Sequence, residues 1–63
     1  MIKEYLVNYI IDGINKAERV FARNEYQAIR CIYEIENISS TYVDFASIRV
    51  ELWHNKKYYK VTL

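Results

Sequence analysis

The chain contains no proline, and glycine, cysteine, histidine, tryptophan and methionine each occur once among its 63 residues. One glycine cannot build the glycine-rich loops that cradle phosphates. One cysteine, Cys31, excludes a disulfide within the chain. With His54 as the only other soft ligand, structural zinc is not expected either, because a tetrahedral site needs about four ligands. Uninterrupted apolar runs extend over only a few residues, so nothing reads as a membrane span. No basic segment leads into a hydrophobic stretch at the N-terminus. The unpaired cysteine suits a reducing compartment, and the expected location is the cytoplasm. No linker, repeat or low-complexity tract interrupts the sequence.

What is present is apolar and aromatic. The apolar fraction is 52% against 27% charged residues, a globular balance. Residues 1–63 are expected to form a single domain with one core, which is marginal at this size without staples or self-association. A homodimer is therefore expected. Seven residues are tyrosine, a side chain that offers a large amphipathic contact surface at low entropic cost. The net charge of +1 argues against a generic polyanion binder. Ile, Tyr, Asn and Lys, all with AT-rich codons, supply 26 residues, which points to a low-GC bacterium, a phage or a mobile element.

Patterning along the chain predicts ββαββ. Ile2 to Ile11 reads as a strand, Asp12-Gly13 as a hairpin turn, and Lys16 to Ala22 as the returning strand. A two-residue loop pairs Val7 with Glu18. A four-residue loop pairs Val7 with Val20 and Leu6 with Phe21, and its matched polarities favour it. Asn24 to about Asn37 reads as the helix, capped by Asn24 with Gln27 reciprocating. Ala28, Cys31, Ile32 and Ile35 form its apolar stripe. A polar loop follows to about Thr41. With Asn55-Lys56 at a turn, Leu52 meets Tyr59, Val50 meets Val61 and Ile48 meets Leu63. On the other face Trp53 meets Tyr58, Glu51 meets Lys60 and Arg49 meets Thr62. The expected fold is α+β, one helix on a four-stranded antiparallel sheet of order 2-1-3-4. The expected core is Tyr5, Val7, Val20, Ala22, Ala28, Ile32, Ile35, Ile48, Val50, Leu52 and Val61.

One helix covers one sheet face, so the other is expected to expose Leu6, Ile10, Phe21, Phe45, Trp53 and Tyr58. Among them stand Glu4, Asn8, Arg19, Arg23, Arg49, Glu51 and Lys60. Such a mixture marks an interaction surface. Candidate partner-binding residues are Phe21, Trp53, Tyr58, Arg49, Lys60 and Arg19 on the sheet. Tyr26, Arg30 and Tyr33, neighbours on the helix exterior, join them. Catalytic chemistry is not expected: Cys31 falls on the buried stripe, His54 beside a turn, and Glu34 and Glu36 on different helix faces. No cofactor, metal or small-molecule substrate is expected. The reading is a non-enzymatic protein-binding module, of the kind a phage or mobile element uses to inhibit or modulate a host enzyme. The alternative is a nucleic-acid-binding module, with aromatics stacking bases while Arg19, Arg23, Arg49 and Lys60 meet phosphates.

Overall fold

The computed structural model describes residues 1–36, 43 and 45–62. Two hairpins bracket one helix: β1 (Lys3–Ile11), β2 (Ile14–Ala22), α1 (Glu25–Glu36), a 3-10 turn (Phe45–Ser47), β3 (Arg49–His54) and β4 (Lys57–Val61). The strands form one antiparallel sheet in the order β2-β1-β3-β4, the expected α+β arrangement. The polar loop expected over 37–41, the partner expected for Ile48 at Leu63 and the side chain of Phe45 lie outside the described residues. Among the described residues, no helix is long and apolar enough to cross a membrane.

The first hairpin closes through Asp12-Gly13 alone. Ile11 pairs with Ile14, Val7 with Glu18, Leu6 with Arg19 and Tyr5 with Val20. The four-residue loop favoured by cross-strand polarity is therefore incorrect. Local turn chemistry decides the matter: Asp12 (φ 50°) and Gly13 (φ 76°) both adopt the left-handed conformation of a type I′ turn. That twist matches the flanking strands, and Asp-Gly suits both positions. Val7 against Glu18 is tolerated because β2 is an edge strand, where a carboxylate reaches solvent. The two registers differ by a slip of two residues, which leaves every side chain on its expected face.

The second hairpin has the expected register, with Val50·Val61, Glu51·Lys60, Leu52·Tyr59 and Trp53·Tyr58 opposed. Its turn residues Asn55 (φ 52°) and Lys56 (φ 67°) are also left-handed. Asparagine accepts this conformation, whereas lysine is strained there.

Helix α1 starts as its sequence dictates. Asn24 Oδ1 accepts the Gln27 N–H at 2.9 Å, and the Asn24 carbonyl accepts the Ala28 N–H at 3.1 Å. Gln27 Oε1 reaches back to the Arg23 N–H at 3.1 Å, one residue earlier than a standard capping box. Ala28 and Ile32 are fully buried against Tyr5, Val7, Tyr9 and Ile11 of β1, Val20 and Ala22 of β2, and Ile48 and Val50. Tyr9 and Ile11 were not among the expected core residues, although the period-two pattern that selects Tyr5 and Val7 continues through them. Ile35 is a correction in the other direction. It lies on the apolar stripe but is 54% exposed, because it occupies the last turn of the helix. Leu52 and Val61 are only partly buried, since α1 packs mainly on β2 and β1 and reaches β3 less.

The far end of α1 is fixed by one carboxylate. Glu36 accepts a 2.5 Å hydrogen bond from the Tyr9 hydroxyl and pairs with Lys16 Nζ at 3.2 Å, joining helix, β1 and β2. The Tyr9 bond, aided by Lys16, holds the Glu36 carboxyl below its ordinary value against the opposing effect of burial. Burial, then the Glu36 bond and the nearby Glu36 and Glu18 charges, pushes the Tyr9 hydroxyl well above its own.

Three outcomes are expected in urea unfolding. Ile32→Ala should cost about 2–5 kcal/mol, while Ile35→Ala should stay within about 0.5 kcal/mol of wild type. Lys56→Gly should raise stability by about 1 kcal/mol, because glycine relieves the left-handed strain. Stability should also fall at both ends of the pH scale. The Glu36 contribution is full above 4.5 and is lost as pH falls through its lowered folded value. The Tyr9 contribution is full below 10.0 and is lost as pH rises towards its raised folded value. Unfolding midpoints measured across pH should show Glu36→Gln flattening the acid limb and Tyr9→Phe the alkaline limb.

Candidate protein-binding face

Alternation along each strand places Glu4, Leu6, Asn8 and Ile10 of β1 on the face away from α1, since Tyr5, Val7, Tyr9 and Ile11 are buried beneath the helix. The registers then assemble rows across the sheet. Phe21 stands beside Glu4, and Trp53 beside Tyr58. One row inward run Arg19, Leu6, Glu51 and Lys60, each opposite the next. Ala17, Asn8 and Arg49 form the row after that.

The aromatic row is organised by a carboxylate. The Tyr58 hydroxyl crosses β3 to donate to Glu4 Oε2 at 3.0 Å, and Arg19 Nε approaches the same oxygen at 3.5 Å. Burial raises the Tyr58 pKa, and the Glu4 bond and charge raise it further while Arg19 opposes them. The hydroxyl therefore remains a donor at neutral pH. The Tyr58 ring also meets Trp53 edge to face, with centroids 4.9 Å apart and planes at 63°. That geometry sets the positive edge of one ring against the negative face of the other. Phe21 is 63% exposed and Trp53 41%, so the rings are anchored by their neighbours yet present area to solvent.

Two basic residues of this face, Arg19 and Arg49, are already engaged. Arg19 leans on Glu4, and Lys60 stands opposite Glu51, which accepts from Asn8 Nδ2 at 3.4 Å. Arg49 turns its guanidinium to the carbonyls of Ala46 and Ile48, at 3.0 and 2.9 Å.

The nine candidate residues divide between two surfaces that meet at one edge. Phe21, Trp53, Tyr58, Arg49, Lys60 and Arg19 alternate onto the outer sheet face, while Tyr26, Arg30 and Tyr33 belong to the helix, and Phe21 and Arg30 come together in a cleft at the β2 edge. Tyr26 and Arg30 are exposed. Tyr33 is not; it is partly buried, and burial raises its hydroxyl pKa, so it does not share an open patch with them. Between α1 and the end of β2 lies a shallow cleft of about 260 Å³ lined by Ile2, Phe21, Ala22, Arg23, Gln27, Arg30, Cys31 and Glu34. Cys31 opens onto this cleft, whereas His54 ends β3 beside the β3–β4 turn. Glu4 is the residue whose organising role the sequence did not reveal. Its place beside Phe21 and within reach of Tyr58 exists only once three strands are in register.

Comparison with known proteins gives no match to a family model, a curated protein or a solved structure.

Proposed function

We propose that this chain is a non-catalytic binding protein whose outer sheet face covers the surface of a partner protein. The observation that carries this reading is the Phe21–Glu4–Tyr58–Trp53 row, in which exposed aromatic area rests on strands, the Tyr58 hydroxyl is bonded to Glu4 and the Trp53 ring packs against Tyr58. Aromatic anchors held in place before binding lose little entropy on contact, and such residues dominate interface energetics. The rim formed by Arg19, Glu51, Lys60 and Asn8 carries both signs of charge, which suits a protein surface better than a uniform polyanion. Engagement of Arg19 and Arg49 by groups of the chain itself weighs against the nucleic-acid alternative, since phosphates would have to displace those partners. In biological form, this is an inhibitor or adaptor acting on a host enzyme, of the kind a phage or mobile element carries.

Affinity capture from native lysate tests the reading, with wild type, Trp53→Ala and Phe21→Ala as bait and each sample divided between nuclease-treated and untreated halves. A protein should be retained after nuclease and its affinity should fall about thirtyfold in either variant, as expected for a hot spot of about 2 kcal/mol. Both variants should keep the wild-type circular dichroism spectrum. Retention of nucleic acid, with its companions lost after nuclease, would transfer the face to the alternative reading.

A further inference from the structure

β2 is one edge of the sheet and runs for nine residues. The two-residue turn fixes which of its backbone groups face outward. Ile11 and Ile14 flank that turn as a hydrogen-bonded pair, and bonded and non-bonded pairs alternate along an antiparallel ladder. Lys16, Glu18 and Val20 therefore bond to β1, while Asn15, Ala17, Arg19 and Phe21 point their N–H and C=O groups away from it. The same phase turns the Ile10 N–H towards the opposite side of β1, where Ser47 Oγ accepts it at 2.9 Å.

We propose that β2 pairs antiparallel with β2 of a second copy about a two-fold axis through Ala17, giving one continuous sheet across both copies. The charges along the strand choose this register. An axis through Lys16, Glu18 or Arg19 would set that residue against its own charge, and directly opposed like charges destabilise an antiparallel pair. An axis through Ala17 instead opposes Lys16 to Glu18 twice, Asn15 to Arg19 twice and Ile14 to Val20 twice. Axes nearer the strand ends engage fewer residues. The pairing also meets two needs of the single chain. Glu18 forms no ion pair among the described residues, whereas the dimer sets it opposite Lys16 of the second copy, whose ammonium would be shared with Glu36 of that copy. Ile14, 59% exposed beside the turn, gains an apolar neighbour. Charges on an edge strand deter indiscriminate pairing; here they admit one self-complementary arrangement.

Sedimentation equilibrium and disulfide trapping test this together. Wild type should be dimeric well above micromolar concentration. Glu18→Lys, which places lysine against Lys16 twice, should weaken the dimer about tenfold or more. Ala17→Pro, which removes an outward N–H and spares the β1–β2 ladder, should act likewise, with circular dichroism unchanged in both. In a Cys31→Ala background, Ala17→Cys should form an intermolecular disulfide on oxidation, because the axis opposes it to itself. Asn15→Cys, opposed to Arg19, should not. A wild-type monomer would overturn the proposal. So would a dimer indifferent to Glu18→Lys but dissolved by Trp53→Ala, which would move self-association to the outer sheet face. That outcome is distinct from failure of the partner-binding reading, which is measured by capture and not by the oligomeric state.

Discussion

Among the described residues, the inward side chains of the sheet are covered mainly by one twelve-residue helix, with Val43 and the 3-10 turn packing against β1. Four strands present more apolar width than such a helix can seal, and α1 settles over β1 and β2. Beneath it, Tyr5, Val7, Tyr9 and Ile11 lose nearly all contact with water, while Leu52 and Val61 on the far strands are only partly covered. The helix is held at both ends by polar devices, the Asn24 cap and the Tyr9–Glu36–Lys16 cluster. Both cost little to desolvate because each polar atom meets a partner. A core this economical leaves the second sheet face with no cover from the described elements, and the proposed binding reading rests on that face.

The outer face has its own internal order, in which Glu4 is the central group. Its carboxylate takes the Tyr58 hydroxyl from one side and Arg19 from the other, so the Tyr58 ring, with Trp53 packed against it, is held to β1 across β3. The same economy governs the basic residues. Arg19 and Arg49 meet partners within the chain itself, and Lys60 stands opposite Glu51. A surface whose charges are internally matched recognises shape and apolar area more than net charge.

Much of the fold was legible because local rules agreed with one another. In the second hairpin, turn position, apolar alternation, the Trp53·Tyr58 pair and the Glu51·Lys60 pair all specify one register, and that register is found. In the first hairpin they disagree. Polarity matching asks for Val7 opposite Val20, whereas Asp12-Gly13 asks for a two-residue turn, and the turn prevails because its backbone conformation leaves no intermediate solution. The face of each side chain was still correct, since a slip of two residues preserves alternation. Ile35 illustrates the complementary limit: helical spacing assigns it to the stripe, but spacing carries no information about where the opposing layer ends.

By itself, then, the sequence determined the elements, their order in the sheet and which side chains share a face, because periodicity and turn chemistry are local properties of the chain. Only the tertiary structure decided how far the helix cover extends, that Tyr33 turns inward while Tyr26 and Arg30 remain open, and that Tyr58, Glu4 and Arg19 converge from three strands. Those relations join residues as many as 54 positions apart. They depend on the register and twist of the whole sheet, which no local pattern encodes.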